Sequence, residues 1–265
     1  MLRIYQRLWQ VNWAEQWQYR ANLFMYILYW IVQPVVYIAV WTSIANAQGN
    51  VKGFTANDFV TYYMVMLIVD QITSEIVIYI LGFKIQDGTL SGELIRPIHP
   101  VLTNTLMNNI AFKALTTLVL IPVWIVLSLL FKPTFDSVTW ANLLLSVPAL
   151  IIGFAVNFLI GSSIVCVAFW TQRVWALYRL YGVPLALFSG QFVPLQLMPK
   201  VIQDVAFYLP FQLFKYFPTQ LILGKLSVEE ILRGYTVGIV WLIISYILFR
   251  FAWSRGLKQF SAVGA

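Results

Sequence analysis

Charge is scarce in this 265-residue chain: 10% of residues are Asp, Glu, Lys or Arg, whereas a typical soluble domain carries about 25%. Cysteine and histidine are almost absent, with Cys166 and His99 the single examples of each. One cysteine excludes an internal disulfide framework and any multi-cysteine metal site, and Cys166 lies in an apolar run where it packs as a small hydrophobe. One histidine leaves zinc without a ligand set, and His99, between Pro97 and Pro100, reads as a surface loop residue. No metal site is expected. A nucleophilic triad would need that same histidine as its base, and no serine sits in a G-x-S-x-G elbow. No window matches G-x-x-x-x-G-K-[ST], so no phosphate cradle for nucleotide hydrolysis is present. The net charge of +7 is neither clustered in a run nor interleaved with aromatics, which argues against a nucleic-acid groove.

What is abundant is apolar surface: 60% of residues are hydrophobic and 17% aromatic. The fold class this implies is an all-α membrane protein forming one integral domain, residues 1–265, with six transmembrane helices. Residues 1–20 read as an amphipathic interfacial helix, in which Tyr5, Trp9, Trp13 and Trp17 recur every four positions opposite a glutamine-rich face. Trp9, Trp13 and Trp17 are candidate interfacial anchors, because indole rings favour the headgroup boundary, with membrane lipids as partners; the alternative is a cytosolic helix packed on a partner. No continuous apolar core precedes a small-residue cleavage site, so this helix is expected to persist in the mature protein.

Spans 1 and 2 occupy residues 23–83, the first over Leu23 to Ile44 and the second over Phe59 to Phe83. Spans 3 to 5 occupy 106–197: Leu106 to Phe131, Trp140 to Trp170, and Val174 to Leu197 interrupted by Pro184 and Pro194. The fourth is overlong for one straight crossing, which predicts tilt, or an end near Pro148 that projects beyond the bilayer. The sixth span covers 235–253. Residues 198–224, broken by Pro199, Pro210 and Pro218 amid aromatics, are too apolar for an ordinary loop and too interrupted to span, so short amphipathic or re-entrant helices fit them. Lysine and arginine counts over alternating loops place both termini in the cytoplasm, with Lys113 counted inside and Lys215 outside.

Two carboxylates fall within the second span. Asp70 and Glu75 are candidates for the translocation path, since ionisable groups at depth need water, a partner or one another. Five residues of continuous helix rotate about 140°, so they should point to different faces; Glu75 is placed to meet Lys84 or Arg173. The alternative is that hydrogen bonds within the bundle satisfy both. Gly153, Asn157 and Gly161 give span 4 a face of small residues at four-residue spacing, suited to helix packing within the chain or to a dimer interface.

The segment 84–103 follows span 2 and contains Asp87-Gly88-Thr89-Leu90-Ser91-Gly92-Glu93-Leu94-Ile95-Arg96-Pro97. Asp87, Thr89 and Ser91 start helices, Leu90, Leu94 and Ile95 form a short apolar stripe, and Pro97 stops propagation. One or two turns of helix at the cytoplasmic face are predicted, shaped to sit in a partner's groove; a plain re-entry turn has a similar composition.

With its basic, aromatic N-terminal helix, this 87–97 stretch and the proline-broken segment before span six, the chain resembles the membrane subunits of ABC-2 type transporters. The likeness is to a compact six-span bacterial branch without a fused ATPase; nothing like the carbohydrate-binding extensions of some polysaccharide exporters is present. The resemblance implies a non-enzymatic exporter subunit in the bacterial inner membrane. It implies a dimer with an identical or homologous membrane subunit, bound to two ATP-binding-cassette ATPase subunits that carry the ATP and magnesium. It also implies that residues 87–97 form the coupling helix and 198–224 extracellular gate helices. An ion-gradient-driven transporter using Asp70 is the rival reading, against which stand the lack of an inverted repeat and of matched broken helices.

Overall fold

The computed structural model describes residues 2–18, 20–171 and 173–260, with side chains described for all of these except 2–5, 20–24, 27 and 29. Among them the regular structure is helical, apart from one isolated bridge between Val51 and Phe54. Helix α1 (Leu2–Gln18) precedes α2 (Arg20–Gln48) and α3 (Ala56–Thr73). A π-helical turn, Ile78–Gly82, then runs into α4 (Phe83–Gln86), followed by the one-turn α5 (Leu90–Leu94). A second π-helical turn, Pro100–Thr105, opens α6 (Leu106–Phe131), and α7 (Trp140–Val165) closes in a 3-10 turn at Cys166–Phe169. The remainder comprises α8 (Val174–Phe188), α9 (Lys200–Tyr208), α10 (Tyr216–Ile222) and α11 (Val228–Gln259).

Five of the described helical stretches are long and apolar enough to cross a membrane: 30–48, 56–86, 100–131, 140–169 and 228–259. The fifth predicted span differs. Helix α8 stops at Phe188, giving 15 residues, or about 22 Å, instead of continuing to Leu197. The chain turns at Ser189 and Gly190, where Gly190 adopts φ +77°, a left-handed conformation, with Pro194 beyond it. Helix α7 runs through Pro148 without interruption.

The second span is the centre of the bundle. Of its apolar window 72% is buried, against 11–39% in the other four. Thr55 and Asp58 form a reciprocal capping box that fixes its start. Helix α11, capped in the same way by Ser227 and Glu230, packs along α7, with Gly238 against Ile152. Gly234 sits beside the Phe217 ring and Gly256 beside Phe169, so a Cβ at either would collide with an aromatic.

Helix α1 is anchored to the bundle. It packs along the start of α6, where Gln16 Nε2 donates to Asn108 Oδ1 (3.1 Å) and Asn108 Nδ2 donates to Asn12 Oδ1 (2.9 Å). Trp9 and Trp13 stack on each other with centroids 5.5 Å apart, while Trp17 is exposed. Tyr5 and the Arg20 side chain lie outside the described side chains.

His99 is not a loose surface residue. Its Nδ1 accepts from the Val101 and Leu102 amides, both at 3.2 Å, capping the helix that becomes α6, and its ring lies 5.3 Å from that of Trp253. Burial, aided by the Arg250 charge, holds its pKa below the ordinary value. The neutral imidazole therefore belongs to the folded state: its contribution is whole above about pH 6.5 and is lost as pH falls through the lowered value. A cap is worth about 1 kcal/mol, less for a half-exposed group. Lowering pH from 7.5 to 5.5 is expected to reduce the thermal midpoint by about 1–3 °C in the parent and less in His99→Asn. Equal pH slopes would remove the capping role.

Candidate functional site

The second span breaks at its middle without proline or glycine. Helix α3 ends at Thr73, Ser74 is extended (ψ 165°), and helical backbone resumes at Val77. Inside a bilayer such a break requires partners for the freed backbone groups, and side chains supply them. The Thr73 carbonyl accepts from Asn157 Nδ2 at 3.0 Å, and the Gln71 carbonyl from Lys113 Nζ at 2.7 Å. The Val77 amide donates to Glu75 Oε2 at 2.6 Å. Thr73 Oγ1 donates to the Phe214 carbonyl at 2.5 Å, fastening the segment after α9 to the break.

This break overturns the expectation that Asp70 and Glu75 face apart, which assumed a continuous helix. Both line one cavity of about 210 Å³, among Tyr26, Trp30, Tyr37, Tyr63, Tyr178 and Tyr181. Asp70 pairs with Lys215 at 2.8 Å, and Lys215 Nζ also donates to Gln191 Oε1 at 2.5 Å. Glu75 is buried; among the described residues its partners are the Tyr178 hydroxyl and the Val77 amide, not Lys84 or Arg173. Lys113 Nζ reaches Ser74 Oγ at 3.1 Å and is near enough to act on both carboxylates. The cluster thus holds two carboxylates and two lysines, so its charges balance. Both lysines lie within the bundle and not in aqueous loops, and removing them from the orientation count leaves its bias in place.

The small face of α7 receives these parts from its own chain. A Cβ at Gly161 would lie 2.5 Å from Glu75 Oε1, and one at Gly153 would strike the Leu213 carbonyl oxygen. Residues 210–221 therefore enter the bundle instead of resting on it: Pro210, Leu213, Phe214, Phe217 and Thr219 are buried. Helix α9 stays peripheral, with Val201, Val205 and Tyr208 exposed.

The 87–97 stretch forms a tight turn and one turn of helix. Asp87 Oδ1 accepts from the Thr89 amide (3.0 Å) and hydroxyl (2.7 Å), and these bonds hold its carboxyl below the usual range. Gly88 takes φ +79°, which a side chain would strain. Thr89 precedes the helix without a side-chain cap bond, and Ser91 Oγ donates back to the Gly88 carbonyl. The predicted stripe splits. Leu90 is fully buried, against a core that includes Ile85, Val101 and Phe169, while Leu94 is exposed and Ile95 is 87% exposed. Glu93 ties the turn to its surroundings through Lys84 (2.6 Å) and Asn104 (2.6 Å). Gly92, Arg96 and Pro97 lie on the exposed side with Ile95.

Membrane-length helices around an internal cavity lined by Asp70, Glu75 and Lys215 define a polytopic membrane protein that holds ionisable groups at depth. A family model described as ABC-2 family transporter protein (ABC2_membrane_6) matches residues 17–264, and the chain belongs to that family. Members are membrane components without ATPase activity of their own, and the family implies partnership with ATP-binding-cassette ATPase subunits. A search of curated proteins finds no match.

Proposed function

We propose that this chain is the permease subunit of an ATP-driven exporter in the bacterial inner membrane. It pairs with an identical or homologous membrane subunit, is powered by two separate ATPase subunits holding ATP and magnesium, and moves an amphipathic, lipid-linked or drug-like substrate. Both termini are cytoplasmic. Helix α8 provides the fifth of six passages, and residues 198–224, whose 210–221 part is buried beside it, act as the outer gate.

The observation that carries this reading is the construction of the 87–97 turn. Its tip, Leu94 and Ile95, is bare, while Leu90 and the Lys84–Glu93 pair clamp its base to the lower half of the broken second span. A push on the tip is thereby delivered through α4 and the π-helical turn to Glu75 and Asp70. The Asp70–Lys215 pair links that span to the gate segment, which supports a latch between halves more than an exchanging proton carrier.

Ile95→Asp is expected to leave the thermal midpoint unchanged and to reduce membrane-subunit-stimulated ATP turnover by about tenfold, the size of a lost interface anchor. Leu90→Asp should instead unfold the turn by burying an unpaired charge. Undiminished coupling in folded Ile95→Asp would refute the role given to this turn.

A further inference from the structure

A second cavity, of about 600 Å³, lies at the end of the bundle that carries the 87–97 turn. Its walls include the rings of Tyr26, Tyr79, Phe83 and Phe112, and its rim carries the carboxylates of Glu15 and Asp87. Asp87 follows the second span directly, Glu15 stands on α1, and both are exposed. The one lysine of the lining, Lys84, is engaged by Glu93 at 2.6 Å. Among the described residues neither Glu15 nor Asp87 forms an ion pair. The cavity is thus negative at its mouth and aromatic within, and Tyr79 and Phe83 are each about half exposed toward the bundle's exterior: 53% and 51%.

Tyr26 also lines the inner cavity that holds Asp70 and Glu75. Its ring meets Phe112 of the outer cavity edge-on at 5.1 Å and Trp30 of the inner one at 5.6 Å. One aromatic ring therefore forms a wall common to both chambers.

We propose that the outer cavity is the entrance site of the exporter and that it selects organic cations with an aromatic or otherwise apolar body. This rests on the exporter reading and adds the substrate's charge and its point of entry. Aromatic faces attract a cation through their quadrupole, most strongly where water is excluded, and the rim carboxylates add a charge complement that an anion lacks. The apolar body lies along Phe83 and Phe112 with the charged group toward Glu15 and Asp87. Tyr26, which lines both cavities, stands between this position and the inner chamber.

The test measures binding of tritiated tetraphenylphosphonium to the purified protein in detergent, with tetraphenylborate as the competitor of the same shape and opposite charge. Saturable phosphonium binding is expected, with negligible competition by the borate. The Glu15→Gln, Asp87→Asn double variant, whose side-chain amide at position 87 retains an oxygen for the turn, should lose about tenfold in affinity, and Tyr79→Ala a comparable factor. Equal competition by the borate, or undiminished affinity in folded variants, would overturn the site. ATP turnover by the ATPase complex is read on the same preparations. Intact coupling with no cation binding removes this inference and leaves the exporter reading standing; cation binding without any associating ATPase does the reverse.

Discussion

Lys215→Met is expected to lower the thermal midpoint of the purified protein by about 6–12 °C, and adding Asp70→Asn should restore most of the loss. Lys215 is the nearest cation to Asp70 and is itself buried, so its removal leaves a carboxylate in the bundle without its 2.8 Å partner. Breaking a buried pair costs about 3–5 kcal/mol; the lower end applies because Asp70 is 26% exposed and Lys113 stands nearby. At roughly 2–4 °C per kcal/mol for a chain of this size, about 3 kcal/mol gives the stated shift. Neutralising both partners removes the stranded charge, which is why the double variant should recover. If the single variant melts with the parent, or the double variant with the single, the pair does not hold the gate segment to the second span.

The second large effect is expected at Gly153. Alanine there would place its Cβ against the Leu213 carbonyl, a backbone atom of the inserted segment that cannot rotate away. Overpacking of this kind costs about 1–3 kcal/mol, partly offset by the gain of roughly 1 kcal/mol that alanine brings to a helix. Gly182→Ala is the internal comparison, since nothing lies within 4 Å of a Cβ there and only the helix gain remains. A lower midpoint for Gly153→Ala and a slightly higher one for Gly182→Ala are therefore predicted by thermal denaturation in detergent. Two equal shifts would mean that residues 210–221 do not seat on α7 as described.

These two sites mark where sequence reasoning reaches the structure and where it stops. Long apolar runs make the membrane spans legible, and their ends mostly fall near capping residues such as Thr55, Thr139 and Ser227. The small face of α7 is also legible as a packing surface, but its occupant is not, because Leu213 and Glu75 arrive from distant parts of the chain. The break after Thr73 is invisible to local rules: Ser74-Glu75-Ile76 contains neither proline nor glycine, and besides Glu75 itself the groups that stabilise it include Asn157 and Lys113 from other helices. A signal does exist in the charge inventory. Two carboxylates in one span require cations at similar depth, and loop counting puts Lys113 and Lys215 on opposite sides of the membrane when both lie in the bundle.

The α8 terminus has visible punctuation in Gly190 and Pro194, which length expectations override. The apolar stripe at Leu90, Leu94 and Ile95 misleads for a different reason. Five residues of helix are too few for periodicity to choose a face, and tertiary packing assigns Leu90 to the core and Ile95 to the exterior. Similarly, His99 between two prolines looks like loop chemistry, and only the fold brings its Nδ1 onto two amides and its ring onto Trp253.

The most direct measurement is site-specific photocrosslinking from position 95, compared with position 208 on α9, in native membranes containing the partner ATPase. Ile95 and Tyr208 are both strongly exposed, so access alone does not separate them. An adduct to the ATPase from position 95 and none from 208 is the predicted result; an adduct from 208 with position 95 silent would contradict the assignment of the driving end.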